Sequence, residues 1–391
     1  MSAGDLVFLL WSGPAAVASL AALAATLWTL ARVRGLGDVE LTERASWPRV
    51  SIIVPACNEA GTLGPALESL LAQSYPSLQL VAIDDRSTDE TGAIIDTLAA
   101  RDSRVIALHV AEVPEGWLGK LNAMACGVAR SDGEWLLFAD ADVQFSPDAL
   151  RKAVSSCLTD ELDLLTALPE VLPAGFLGDA TINVTGLILA SVGRLPKVRD
   201  PRSAVAAGVG AFILVRRVAF DRTPGLAWLK LEVADDMGLG LMLKKHGARC
   251  EIVQGRGELR LQWYDSFRDM AAKMQKNYFA ILARFSVWRA LGSAAVIAAL
   301  ALAPLACVIP HTRALDVLPL VTTLALTAGT LGCARWLRRP MLPALFPQVG
   351  LLGQAYMLVR SAIVGARIGG IAWRGKVYPT RVLRAEQRVK L

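Results

Sequence analysis

The chain reads Trp135-Leu136-Leu137-Phe138-Ala139-Asp140-Ala141-Asp142-Val143, an apolar run that ends in two carboxylates one residue apart. A short run of large apolar residues is typical of a buried β-strand. Residues i and i+2 of an extended chain point the same way, so Asp140 and Asp142 can face one ligand. Such pairs also occur in solvated turns, so the meaning of this pair depends on the segments around it.

Three further apolar runs precede this one, and helical patterns separate them. The predicted strands are 50–55, 78–83, 105–110 and 135–139, and apolar residues at helical spacing lie within 59–73, 94–99 and 120–129. Strands that alternate with helices predict an α/β fold with a mostly parallel sheet covered on both faces. Ligands of such sheets bind at the carboxyl ends of the strands.

Polar residues follow three of these strands. They are Cys57-Asn58-Glu59, Asp84-Asp85, and Asp140 with Asp142. The sequence has neither a Gly-x-x-x-x-Gly-Lys-Ser/Thr loop nor a Gly-x-Gly-x-x-Gly motif after the first strand, which argues against a P-loop NTPase and a dinucleotide-dependent dehydrogenase. Nucleotide binding would therefore use side chains and a metal.

The acids after the first two strands have two interpretations each. Asp85 could accept hydrogen bonds from a nucleobase or a ribose, and we favour helix capping for Ser87 to Asp89. Asn58 and Glu59 could equally cap a helix or contact a ligand.

Lys120 and Asn122 open the helix that leads to the Asp140 strand. A cation at a helix start is unfavourable for the helix dipole, so a phosphate is one reason for Lys120; a solvated lysine is the alternative. Asp140 and Asp142 would bind Mg²⁺ or Mn²⁺, hard cations that prefer carboxylate and phosphate oxygens.

A second acidic pair, Asp235-Asp236, begins a later helical pattern. One of the two could cap the helix, but adjacent carboxylates repel each other, which raises a pKa and suits a general base. Gly208 and Gly210, ahead of this pair, would let the backbone approach a ligand closely.

The composition predicts a membrane protein. Of 391 residues, 54% are hydrophobic and 19% are charged, and the long uncharged runs lie at the two ends. Residues 6–31 are long enough to cross a bilayer, as are 291–309 and 315–331. Basic residues after residues 31 and 331 predict that these flanks are cytoplasmic. Residues 341–364 are expected to be re-entrant or interfacial, with a fourth crossing as the alternative.

We therefore expect an N-terminal transmembrane anchor (1–35), a cytoplasmic catalytic domain (48–285), C-terminal membrane helices (286–366) and a basic tail (367–391). The formal charge of +6 is concentrated beside apolar segments and in the tail. Anionic lipid head groups are a simpler partner for it than nucleic acid. Residues 263–276 mix aromatic and basic side chains and could form either an interfacial helix or one that packs in the core.

Taken in order and spacing, these motifs resemble the family 2 glycosyltransferases with a GT-A fold. The resemblance covers about residues 48 to 285. The one-plus-three membrane pattern and the segment Gly369-Gly370-Ile371-Ala372-Trp373-Arg374-Gly375-Lys376-Val377-Tyr378 are similar to the hopanoid-biosynthesis-associated membrane glycosyltransferases, relatives of ceramide glucosyltransferase.

The resemblance implies a Rossmann-like nucleotide-sugar-binding domain whose donor site includes Pro55, Asn58, Glu59, Asp85, Lys120, Asn122 and Asp140. Asp85 would read a uracil-type base, Asp140 and Asp142 would hold the ribose and the metal diphosphate, and Asp236 would be the base. Gly208, Gly210 and Asp235 would lie near the acceptor. The family's Gln-x-x-Arg-Trp motif has no match at Met274-Gln275-Lys276-Asn277-Tyr278.

The expected function is that of a membrane-bound inverting glycosyltransferase. It would transfer a sugar from a nucleotide sugar, UDP-linked by expectation, to a lipid hydroxyl such as that of a hopanoid. A processive polysaccharide synthase and a non-enzymatic membrane scaffold are the alternatives.

Overall fold

A computed structural model of the chain describes residues 2–41 and 44–390. The strands of the described residues are β1 (Val50–Ala56), β2 (Leu78–Asp85), β3 (Val105–Val110), β4 (Trp135–Phe138), β5 (Gln144–Phe145), β6 (Leu164–Leu168), β7 (Glu170–Val171), β8 (Ile213–Arg216), β9 (Cys250–Gln254), β10 (Leu259–Leu261), β11 (Gly370–Trp373) and β12 (Lys376–Pro379).

The helices of the described residues are α1 (Ala3–Arg32), α2 (Leu63–Leu71), α3 (Thr91–Arg101), α4 (Gly119–Ala129), α5 (Ala149–Thr159), α6 (Gly175–Val192), α7 (Arg217–Asp221), α8 (Asp235–Lys245), α9 (Phe267–Lys273), α10 (Gln275–Asn277), α11 (Val287–Leu302), α12 (Val317–Trp336), α13 (Met341–Ala344), α14 (Pro347–Ile368) and α15 (Thr380–Glu386).

A seven-stranded sheet has the strand order β3-β2-β1-β4-β8-β6-β9, and this sheet with the helices packed on it is called the sheet domain below. Strand β8 runs antiparallel to both of its neighbours, and the other pairings are parallel. Apolar side chains on both faces are buried, as expected for a sheet covered by helices. The predicted α/β fold with a mostly parallel sheet is confirmed, and the four predicted strands match β1 to β4 within two residues.

The position of the Asp140–Asp142 pair differs from the sequence-based expectation. Strand β4 ends at Phe138, so both carboxylates lie in the turn that follows it. The backbone leaves the ladder there because the Asp140 N–H donates to the carbonyl oxygen of Gly210, 3.1 Å away. The argument from strand alternation therefore does not apply to these two residues.

Within residues 2–41 and 44–390, five helices are long and apolar enough to cross a membrane. They span Ala3–Arg32, Gly175–Val192, Val287–Val308, Arg313–Trp336 and Pro347–Ile368. Four of them overlap the apolar runs recognised in the sequence. The fifth, α6, lies inside the stretch that the sequence pattern assigned to the catalytic domain.

Helix α6 is attached to the sheet domain at both ends. Near its start, Asp179 pairs with Arg339, whose guanidinium also donates to the carbonyl oxygens of Val171 and Leu172 beside β7. Beyond its end, the turn Leu195–Val198 is buried in the core of the large sheet. Both ends of this helix thus lie on the side of the sheet domain.

Helix α14 also begins and ends near the sheet domain. Ahead of its start, Asn183 of α6 donates to the carbonyl oxygen of Pro340, and after its end the chain enters the β11–β12 hairpin. The α11–α12 connection lies elsewhere, because the Thr312 N–H donates to Asp5 at the start of α1, 2.8 Å away. The connection therefore lies at the end of α1 opposite to Val33, which is buried in the sheet-domain core.

The residues after α14 fold back onto the sheet domain. Tyr378 and Leu383 are buried in its core, and the N–H groups of Arg388 and Val389 donate to Glu232 at 2.6 and 3.0 Å. Two arginine side chains of this tail also pair with carboxylates of the protein, Arg374 with Asp85 and Arg388 with Glu386. Part of the positive charge of the tail is therefore neutralised within the protein, which differs from the expectation that lipid head groups are its partner.

Candidate active site

A cavity opens at the carboxyl ends of β1 and β4. Its lining combines acids from two segments and a lysine with apolar side chains, many of them from the sheet: Pro55, Lys120, Met124, Phe138, Ala139, Asp140, Gly210, Ile213, Asp235 and Asp236. Six of these were predicted site residues, although the first and last of the six are 181 positions apart in the sequence (236 minus 55). The sheet topology brings them together as expected for the carboxyl edge of an α/β sheet.

Lys120 links the two acidic pairs. Its amine lies 2.8 Å from Oδ1 of Asp140 and 2.9 Å from Oδ2 of Asp235. Burial opposes the charge on the amine, but the two carboxylates outweigh burial and raise the pKa of Lys120. The interpretation of Lys120 as a solvated lysine is therefore wrong, since its amine pairs with two carboxylates of the protein.

Asp236 is the second residue of α8 and lines the cavity together with Lys120. Its Oδ2 accepts from the Gly210 N–H at 3.1 Å, and its Oδ1 accepts from the Met237 N–H at 2.7 Å. Burial, and next the charge of Asp235, raise the pKa of Asp236 to about 6, against the opposing effect of Lys120. A carboxylate with this pKa is ionised at neutral pH and is a stronger base than an exposed aspartate.

Gly208 and Gly210 make room for these acids. A Cβ on Gly208 would lie 1.8 Å from the carbonyl oxygen of Asp236, and one on Gly210 would lie 2.6 Å from Oδ2 of Asp140. Any larger residue would displace the acidic pairs. The two glycines therefore allow atoms of the protein to approach closely, whereas the sequence suggested the close approach of a ligand.

Asp142 forms no ion pair within residues 2–41 and 44–390. Burial, then the nearby charges of Asp140 and Glu59, raise its pKa to about 7. The described part of the chain has no group of three or more His, Cys, Asp or Glu residues arranged to hold a metal. Two carboxylates fit a Mg²⁺ or Mn²⁺ ion that takes its other ligands from substrate phosphates and water.

Asp85 ends β2 and is fully buried between two arginines. Its Oδ1 accepts from Nε of Arg86 at 2.9 Å, and its Oδ2 accepts from the guanidinium of Arg374 in the tail. Each carboxylate oxygen has two lone pairs, so Asp85 keeps acceptor capacity for a ligand. Arg374 is separated from Asp85 by 289 positions, and the sequence analysis did not single it out as a site residue.

Like Asp85, three other predicted donor residues lie outside the cavity lining. Asn58 is exposed, and its Oδ1 accepts from the Thr88 N–H at 2.8 Å, which ties the loop after β1 to the loop after β2. Glu59 accepts a hydrogen bond from Thr62 at 3.0 Å. Asn122 is buried on α4, two residues from Lys120, so the two side chains cannot share a helix face.

Two basic residues near the site were missed because their positions depend on the C-terminal hairpin. Arg374 and Gly375 both have positive φ angles, 48° and 75°, and form the two-residue turn between β11 and β12. Beside this turn, the Lys276 amine lies 3.5 Å from the centre of the Trp373 ring. The Arg-Gly pair predicts the turn, but no sequence pattern predicts where the turn packs.

The sheet, its reversed strand β8 and the acids at its carboxyl edge define a GT-A domain. Residues 51–221 match the family model "Glycosyl transferase family 2". The match assigns residues 51–221, which are less than half of the chain, to this type of domain.

Similar proteins include the succinoglycan biosynthesis protein ExoO of Rhizobium meliloti (strain 1021), which is 34% identical over 107 residues, 27% of this chain and 29% of that protein. Dodecaprenyl-phosphate galacturonate synthase of Rhizobium johnstonii is 32% identical over 141 residues, 35% of this chain and 39% of that protein. The chain thus spans less than half the length of these curated relatives.

The solved structure of the mannosyltransferase PcManGT from Pyrobaculum calidifontis, in complex with GDP-Man and Mn²⁺, has the same fold. It superposes with a TM-score of 0.51 at 18% identity, over 91% of this chain and 99% of that one.

Proposed function

We propose that this protein is a membrane-bound, inverting glycosyltransferase that moves a sugar from a nucleotide sugar to a lipid hydroxyl. The observation that carries the proposal is that Lys120 pairs with both Asp140, a proposed metal ligand, and Asp235, the neighbour of the proposed base Asp236. All four residues line one cavity. Donor activation and proton removal must occur within a few ångströms of each other in a single-displacement transfer.

In the proposed reaction, Asp236 accepts the proton of the acceptor hydroxyl as its oxygen attacks the anomeric carbon of the sugar. The Gly210 and Met237 N–H groups hold this carboxylate in place, so its orientation is fixed before the acceptor arrives. Lys120 stabilises the ionised state of Asp236 and of its neighbours.

The proposed metal ligands are Asp142 and Asp140. A bound Mg²⁺ or Mn²⁺ would neutralise charge on the departing nucleoside diphosphate. The unpaired state of Asp142 supports this assignment, as does the Mn²⁺ in the complex of the mannosyltransferase PcManGT.

Asp85 is the proposed contact to the nucleobase. Its two arginine partners leave lone pairs free for a base N–H, and a uracil ring has one such donor at N3. The donor is then a UDP-sugar, whereas the PcManGT complex contains GDP-Man. The first experiment therefore uses both nucleotides.

The proposed acceptor is a membrane lipid. Three helical segments, α1, α11 with its extension to Val308, and α12, would cross the bilayer, since the α11–α12 connection lies at the far end of α1. Helices α6 and α14, attached to the sheet domain at both ends, would lie along the inner surface of a cell membrane, with the catalytic domain in the cytoplasm. The name of dodecaprenyl-phosphate galacturonate synthase also connects a sugar with a lipid.

The test uses the full-length protein in detergent with UDP-sugars and GDP-sugars, Mn²⁺ or Mg²⁺, and a bacterial lipid extract that includes hopanoids. We expect one glycolipid product, and we expect Asp236→Asn to lose transfer while it still binds the nucleotide. A long polymer would instead favour a polysaccharide synthase. Transfer at the wild-type rate by Asp236→Asn would show that this residue is not the base.

A further inference from the structure

The C-terminal hairpin lies against the donor side of the site. Arg374, at its turn, pairs with the buried carboxylate of Asp85, and Trp373, the residue before it, covers the amine of Lys276. The hairpin therefore contacts two residues of other segments: Arg374 contacts Asp85, the proposed nucleobase contact, and Trp373 contacts Lys276.

Lys276 differs from Lys120 in its partners. Lys120 has two carboxylates within 3 Å, whereas Lys276 forms no ion pair and no hydrogen bond through its amine in the part of the chain that the structure describes. The adjacent residue, Gln275, is 9% exposed and carries a buried side-chain nitrogen, also without a partner among the described residues. The Lys276 amine and the Gln275 side-chain nitrogen are thus two hydrogen-bond donors without an acceptor among the described residues.

A partly buried ammonium that lacks a counter-charge is unfavourable, because burial removes water that would otherwise solvate it. The ring of Trp373 compensates only in part, since a cation–π contact is worth much less than a buried ion pair. Asp235 and Asp140 are the carboxylates whose negative charges act on the Lys276 amine, and both already pair with Lys120. An anionic ligand would supply the missing partner.

We propose that Lys276 binds the diphosphate of the nucleotide sugar, and that Trp373 and Arg374 position it, so that the C-terminal hairpin is part of the donor site. This inference rests on the proposed function, because it takes the donor to be a nucleoside diphosphate sugar. Trp373 holds the Lys276 amine, and the Arg374–Asp85 pair fixes the hairpin relative to the nucleobase contact.

The test measures binding of UDP, and separately of UMP, to the full-length protein in detergent with Mn²⁺, by isothermal titration calorimetry. A charge-assisted hydrogen bond to phosphate predicts that Lys276→Met weakens UDP binding by about 10-fold or more and affects UMP less. Lys276→Arg should restore most of the affinity. Trp373→Ala should weaken UDP binding in the wild-type background but add little to Lys276→Met.

Lys273→Met is the matched control, because Lys273 is exposed on α9 and pairs with Asp269. Thermal unfolding of every variant shows whether it is folded. Unchanged UDP affinity in Lys276→Met would overturn the inference and leave the proposed function standing. A variant that binds UDP normally but has a higher KM for lipid would assign Lys276 to the acceptor, also against the inference. Absence of nucleotide binding by the wild-type protein would contradict both.

Discussion

The amine of Lys120 lies 2.9 Å from Oδ2 of Asp235, the residue directly before the proposed base. The same amine pairs with Asp140, so one cation neutralises a carboxylate from each acidic pair. Both Lys120 and Asp235 have side chains that are less than a fifth exposed. Their interaction is therefore screened little by solvent, and it neutralises the carboxylate next to the proposed base.

Replacing Lys120 with Met should destabilise the fold. It leaves the buried carboxylate of Asp235 without a partner, a change that costs about 3 kcal/mol or more of unfolding free energy, whereas the more exposed Asp140 is solvated by water. We expect a lower melting temperature in detergent and loss of donor binding. The double variant Lys120→Met/Asp235→Asn removes one of the unpaired charges and should recover part of the stability. A melting temperature equal to that of the wild type in the single variant would show that the pair contributes nothing.

The rate of transfer should depend on the protonation of Asp236. Its pKa is raised to about 6, and only the ionised form accepts a proton. At saturating metal, kcat/KM should be constant above about pH 7 and should fall about tenfold for each pH unit below 6. The measurement is initial rate against pH at low acceptor concentration, with a melting curve at each pH. A flat profile down to pH 5 in folded protein would contradict this assignment.

Metal binding should release a proton through Asp142. Without metal, the pKa of this carboxyl is about 7, so half of the molecules carry the proton at that pH, and a divalent cation must displace it. Apparent affinity for Mn²⁺ in the presence of UDP should therefore fall as the pH drops from 8 to 6. Calorimetry in two buffers of different ionisation enthalpy measures the proton directly.

Asp142→Asn is the matched variant for this linkage. It has no proton to release, and it should weaken metal-dependent binding of UDP while leaving metal-free binding of uridine unchanged. Proton release of the same size in Asp142→Asn would assign the linkage to another group.

The sequence predicted the acidic edge of the sheet because parallel strands end together. Asp85 and Asp140 close or follow an apolar pattern, and Asp236 lies at the start of a helical one, so their approximate meeting point follows from topology. Lys120 was placed at the correct helix start, but its partners were not predictable, since pairing depends on side-chain reach across the cavity.

The remaining features depend on contacts between distant segments. The Arg374–Asp85 pair joins residues at opposite ends of the chain, and no local pattern encodes it. Helix α6 was missed because Asp179, Thr181 and Asn183 interrupt its apolar sequence. In the structure these polar residues are buried against other segments, Asp179 by its pair with Arg339.

The arrangement of α14 predicts the membrane topology of the C-terminal part. If α1, α11 and α12 cross the bilayer and α14 does not, the exposed Cys307 faces the outside, and Lys376 in the hairpin faces the cytoplasm. A membrane-impermeant maleimide should label Cys307 in intact cells, and Cys307→Ser should abolish that signal. In the Cys307→Ser background, Lys376→Cys should gain label only after permeabilisation. Labelling of Lys376→Cys in intact cells would mean that α14 crosses the membrane, which would also separate Arg374 from Asp85.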